Sequence, residues 1–221
     1  MTGVFPFPVL RLGPVVLTDT ALSSLALSAL LVLLALLLRG REGARERCEH
    51  LYEWLESSLQ SMVSVDARPL VPVVLTLWLF IGAANLVGVL PLLGSPTRDL
   101  SVTAGLALAA LLSGHLVAFR QGGLRYLRQY VEPTALLLPL NLLGEASRTL
   151  ALAVRLFGNV FSAELMGAIL LLLAGLLLPV PLLLLSVVSS VVQAYLFGVL
   201  TLVFAASGLE AAARARAGGG S

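Results

Sequence analysis

Residues 145–164 read Glu-Ala-Ser-Arg-Thr-Leu-Ala-Leu-Ala-Val-Arg-Leu-Phe-Gly-Asn-Val-Phe-Ser-Ala-Glu. They lie inside an apolar stretch, 135–173, with no Gly/Pro-rich loop once Pro139 is placed in the first helical turn, where proline is tolerated. At 1.5 Å per residue such a helix is about 57 Å long, roughly twice the hydrocarbon thickness of a bilayer. A charge at mid-membrane costs about 2.5–3.5 kcal/mol on insertion scales. Arginine cannot shed its proton to escape that cost. Four ionisable groups within this segment therefore imply a hydrated cavity, a charged partner, or both.

Helical phase sorts these groups. At 100° per residue, Arg148, Arg155 and Ser162 fall on one stripe, each within about 20° of the next, with Asn159 about 40° from Arg155. Glu164 stands about 180° around the helix from Arg155 and roughly 14 Å along it; Glu145 is about 80° and 15 Å the other way. Neither glutamate can neutralise Arg155 within its own helix. The layout is that of two polar half-paths that do not meet, with a fixed cation between them.

The rest of the sequence supplies the setting. The 221 residues are 58% hydrophobic and 12% charged, with mean hydropathy +0.99, whereas soluble domains carry about 25% charged residues. The solvent must largely be lipid. A net charge of +2 and the lack of a basic run interleaved with aromatics argue against nucleic acid. All 14 basic residues are Arg. Cys48 is the lone cysteine, which excludes an intrachain disulfide and a thiolate metal cluster. The predicted fold is an all-α membrane protein, a single integral domain over 1–221. Its spans fall near 21–38, 69–93, 100–120, 135–173 and 180–209, the last two a long tilted hairpin turned at Pro179 and Pro181. Residues 41–66 carry Leu51, Trp54, Leu55, Leu59, Met62 and Val63 at helical spacing opposite a polar face, the pattern of a helix lying on a membrane surface. A solvated linker is the plainer alternative for that segment.

Charge order around 21–38 is the reverse of a signal peptide, with Arg11 before it and Arg39, Arg41, Arg45 and Arg47 after it. Arg120, Arg125, Arg128, Arg214 and Arg216 flank the corresponding ends of later spans, and Arg98 sits in an opposing loop. The positive-inside rule then places the N-terminal segment 1–20 outside and the tail 210–221 in the cytoplasm. On the last span Ser186, Ser190, Gln193 and Thr201 form a loose polar stripe. Serines there commonly serve packing or back-bonding; Gln193 demands several hydrogen bonds if buried. Asn85 can equally serve a helix–helix contact, and His115 reads as interfacial.

Ser147–Glu164 (SRTLALAVRLFGNVFSAE) followed by Gln193–Phe204 (QAYLFGVLTLVF) closely resembles subunit a of the F-type ATP synthase membrane sector. Asn85–Leu108 (NLVGVLPLLGSPTRDLSVTAGLAL) resembles that family's second motif, and Glu49 with Trp54 fits its early amphipathic segment. The likeness covers most of 40–206. It implies that Arg155 is the essential arginine facing the carboxylate of each rotor c subunit. Asn159, Glu164 and Gln193 match positions lining or supporting the outer ion path, and Glu145 matches an acidic position of the cytoplasmic half-channel. Arg148, Asn85 and Ser190 are possible accessories. Several family members place a His seven residues before the Gln of the last helix; here Ser186 stands there, so Glu164 must reach water by another route. Thr149 and Ala151 replace a Pro and a Ser of many relatives, and the short N-terminal extension is similar to the alternate, sometimes sodium-linked, bacterial branch. The resemblance implies the c-ring, peripheral-stalk b subunits and the bilayer as partners, a bacterial inner-membrane location, a non-catalytic place in the complex, and no cofactor or metal. A permease using Arg155 to bind an anion is the rival reading. It would favour repeated halves and broken helices, neither of which is visible. A plain membrane anchor would have no reason to bury Arg155, Glu145 and Glu164.

Overall fold

A computed structural model describes residues 8–12, 15–40, 42–89, 95–123, 126, 130, 136–174 and 179–217. Arg125, Arg128 and the last residues of the 69–93 stretch lie outside the described residues. Among the described residues six α-helices carry the fold: α1 (Asp19–Arg39), α2 (Glu42–Gln60), α3 (Val71–Val89), α4 (Leu100–Gly122), α5 (Leu137–Ala174) and α6 (Pro179–Ala217). Five of them, all but α2, are long and apolar enough to cross a membrane. The membrane-crossing body is therefore all-helical. Ahead of it Pro8–Leu12 (β1) and Val15–Thr18 (β2) pair antiparallel in a short hairpin, whose alternation is too brief to stand out in an apolar sequence.

Local chemistry sets the helix ends. Thr18 caps α1, its hydroxyl accepting from the Ala21 N–H at 3.2 Å, with Asp19 in the first turn and Arg39 in the last, the charge order that suits the helix dipole. Asp99 caps α4 through the Ser101 N–H at 2.9 Å. Gly123 ends α4 with φ +59°, a conformation that glycine adopts without strain. α2 stops at Gln60, short of residue 66, because the Gln60 amide turns back on the chain. Its Nε2 donates to the Val65 carbonyl and its Oε1 accepts from the Ala67 N–H, each at 2.8 Å. α6 continues through Glu210–Ala217, residues assigned above to a tail; their Ala and Arg content favours helix.

Packing relies on small residues, as expected where lipid supplies no hydrophobic drive between helices. Ala107, Ala110, Leu152, Ala153, Leu156, Ala194 and Phe197 bring α4, α5 and α6 together with Leu77 and Ile81 of α3. Leu59, Leu70, Val74, Ala118, Leu202 and Leu209 seat the end of α2 on α3, α4 and α6. α1 stands apart, exposing leucines such as Leu25, Leu33 and Leu37 along its length. α5 and α6 have 38 and 39 residues, so each is roughly 57 Å or more in length. Helices of that length must run obliquely in a bilayer of about 30 Å.

The Trp78 ring of α3 lies where a side chain at Gly198 of α6 would project. It stacks on Tyr195 with centroids 5.6 Å apart and donates its indole N–H to the Tyr195 carbonyl at 3.2 Å. Gly198→Leu should cost about 1–3 kcal/mol through overpacking, read as a lower thermal midpoint of the detergent-solubilised complex. An unchanged midpoint would contradict this contact.

Candidate functional site

Arg155 lies at mid-length of α5, beside a buried ridge of Leu152, Ala153, Leu156 and Val160. Its own side chain is exposed. Among the described residues it has no hydrogen-bond or ion-pair partner. Arg148, seven residues earlier, is also exposed, its guanidinium 5.3 Å from the centroid of the Phe204 ring.

α5 and α6 run antiparallel, and one hydrogen bond fixes their register: the Ser189 hydroxyl donates to Asn159 Oδ1 at 2.6 Å. Four residues back along α5 is Arg155, and four forward along α6 is Gln193. Each step is about 6 Å of rise in the same direction, so Gln193, half-buried, stands level with Arg155. The serine that meets Asn159 is thus Ser189, one residue off the stripe of Ser186 and Ser190. Ser186 bonds back to the Leu182 carbonyl at 2.9 Å within its own helix. Ser190 is buried, and its carbonyl lies 3.5 Å from Asn85 Nδ2. Asn85 also accepts from the Thr97 hydroxyl at 2.8 Å. Asn85 and Ser190 therefore act here as a joint between α3, α6 and the loop ahead of α4.

Glu164 points away from Arg155, into the short 3-10 turn Pro96–Arg98. It accepts from the Ser95 N–H at 3.2 Å, and its other oxygen lies 3.9 Å from an Arg98 nitrogen. Arg98, only 5% exposed, also bonds Asp19 at 2.6 Å. Beside this cluster Asp99 accepts from Thr20 at 2.6 Å and from Thr18 at 3.3 Å. Burial pushes the Asp99 carboxyl upward, but hydrogen bonds from Thr20, Ser101 and Thr18 outweigh it and hold the group below the usual carboxylate range. Its contribution to stability is therefore present at neutral pH and lost as pH falls through that lowered range.

Glu145 occupies the opposite end of the bundle. The Tyr130 hydroxyl donates to its Oε1 at 3.0 Å, and His115 Nε2 lies 3.3 Å from its Oε2 and 2.9 Å from the Tyr130 oxygen. Tyr126 packs edge-on against both rings. Burial, then Tyr126 and the Glu145 carboxylate, push the Tyr130 phenol well above its ordinary value, keeping it a donor. A cavity of about 670 Å³ opens beside this cluster, lined by Glu145, Arg148, Asn141, Thr201, Ser207 and Glu210 among others.

Arg155 is thus the midpoint between two carboxylates, each engaged by side chains from other elements. Glu145, Asn159 and Glu164 face polar partners, whereas Ser186 joins neither cluster. Sequence reading missed Arg98, Asp19, Ser189 and Tyr130, because their meaning lies in contacts far apart in the chain. The one available hint was an Arg directly before Asp99, the capping residue of an apolar helix.

The family model described as ATP synthase A chain matches residues 20–206. The chain belongs to this family. Subunit a 1 of the ATP synthase of Hahella chejuensis is 41% identical over 206 residues, covering 91% of this chain and 88% of that protein. Subunit a of Legionella pneumophila strain Corby is 52% identical over 141 residues, covering 63% and 61%. Subunit a 2 of a Bradyrhizobium strain is 36% identical over 210 residues, covering 92% and 94%. Family membership gives the chain the role of an F-type ATP synthase stator subunit. With its five apolar helices it is a multi-pass inner-membrane protein.

Asn85→Ala removes the acceptor of a buried Thr97 hydroxyl. The change should cost about 1–3 kcal/mol and lower the yield of assembled complex, with pumping per assembled complex retained. Loss of pumping at normal yield would show instead that Asn85 acts directly on the ion.

Proposed function

We propose that this subunit carries ions between membrane and rotor along two offset half-paths separated by Arg155. The observation that supports this most is Arg155 itself, exposed and, among the described residues, without a counter-charge. A guanidinium cannot deprotonate, and lipid alone would not tolerate it. Its counter-charge therefore comes from another subunit, and the ionisable carboxylate of each passing c subunit fits that need. Glu164, with Asn159 and Gln193 nearer Arg155, forms the outer half-path. Glu145, assisted by Arg148 and the adjoining cavity, forms the cytoplasmic one. Ser186 matches a family path position but is given no contact-based role.

An ion enters by one half-path, neutralises a rotor carboxylate, rides nearly a full turn and leaves by the other. Arg155 favours the ionised carboxylate as it passes between the half-paths and repels cations that would leak directly across. Each charge moved through 100 mV is worth about 2.3 kcal/mol, which couples ion flow to ATP synthesis or to ATP-driven pumping. Arginine at the ends of spans supports an N-terminus outside and a C-terminus in the cytoplasm. α2, with exposed Leu51, Trp54 and Met62, then lies on the cytoplasmic membrane surface. The exposed apolar length of α1 suits contact with peripheral-stalk b subunits or lipid.

In inverted vesicles holding the whole complex, Arg155→Ala should abolish ATP-driven ion pumping while the complex still assembles. Normal pumping by that variant would sink the mechanism.

A further inference from the structure

Arg98 is buried between two carboxylates, with a third, Asp99, on the next residue, and its surroundings set a charge balance. One guanidinium nitrogen holds Asp19 of α1 at 2.6 Å, and another lies 3.9 Å from Glu164 of α5. Asp99, the α4 cap, is held by Thr20, Thr18 and the Ser101 N–H. Ser95 adds one N–H to Glu164. The other titratable groups of the site, the Glu145–His115–Tyr130 cluster, lie at the far end of the bundle.

From this arrangement we propose that Arg98 and Asp19 are positioning residues for ion exchange at Glu164. Asp19 takes the shorter, stronger share of the guanidinium, leaving Glu164 only partly compensated. Glu164 can then lose and regain an ion without stranding Arg98, because Asp19 remains as its counter-charge. A buried guanidinium paired with Glu164 alone would lock that carboxylate in its ionised form, and no guanidinium at all would leave it clinging to its ion. The balance also ties the sparsely packed α1 to the ion path, through the Thr18–Asp19–Thr20 turn.

The two single substitutions should act in opposite directions. Arg98→Gln leaves Asp19 and Glu164 facing each other without the cation, so Glu164 releases its proton less readily. Asp19→Asn removes the nearer anion from the guanidinium, so Glu164 faces a less compensated cation and release becomes easier. Opposite charges at this separation alter proton affinity by about tenfold or more.

The test uses whole complexes in inverted vesicles prepared at a series of lumenal pH values, with ATP-driven charge transport followed by a potential-sensitive dye. In the proposed orientation the lumen faces the Glu164 end. Arg98→Gln should move the acid limb of transport to about tenfold lower lumenal proton concentration, and Asp19→Asn to about tenfold higher. The double variant should fall between them. If Arg98→Gln fails to assemble, Asp19→Asn and the double variant still carry the comparison. A purely structural pair would lower the amount of complex and leave the acid limb of the remainder unmoved; that result overturns the proposal, as would shifts in the same direction. The proposal rests on Glu164 being a half-path carboxylate, which Glu164→Gln tests separately. Full pumping by Glu164→Gln removes that foundation. Loss of pumping there, with unmoved limbs in the other variants, defeats only the role of Arg98 and Asp19.

Discussion

The arrangement depends on a positive charge that no described residue of its own subunit neutralises. Arg155 stands on an apolar helix, exposed, with glutamates near both ends of that helix and neither within reach. Each glutamate has acquired partners from elsewhere: Glu164 from the loop ahead of α4, and Glu145 from α4 and the Tyr130 turn. Those pairings matter as much as the arginine. They hold each carboxylate in its own cluster, away from the level of Arg155.

Length and register serve the same end. α5 and α6 outlast the bilayer and must cross it obliquely, so the long axis of their hairpin can lie along another surface instead of simply spanning. The Ser189–Asn159 bond sets the register and brings Gln193 level with Arg155. Small residues at the α4–α5–α6 contacts keep the helices close enough to hold that register.

Some of this was legible in sequence. The phase of Arg148, Arg155 and Ser162, and the spacing of the two glutamates, follow from helical geometry alone. So does the count of spans, since lipid requires long apolar runs. Partner choice was not legible. Arg98 read as a loop charge marking orientation, yet it is buried against residues 79 positions earlier in Asp19 and far later in Glu164. Spacing points to Ser186 and not Ser189, because a stripe judged by spacing can be out by one residue in phase. The N-terminal hairpin and the helical 210–217 segment were hidden for a simpler reason: short elements at the end of an apolar chain carry little periodicity.

The central claim is that the partner of Arg155 lies on the rotor. Disulfide cross-linking tests it most directly. With Cys48 replaced by Ser, a cysteine at Ala151, exposed on the Arg155 face, is combined with one beside the rotor carboxylate. The account predicts a subunit-to-rotor cross-link from position 151 and none from a cysteine at Leu33 of α1. Absence of the first in assembled complexes, or cross-links of equal yield from both, would contradict it.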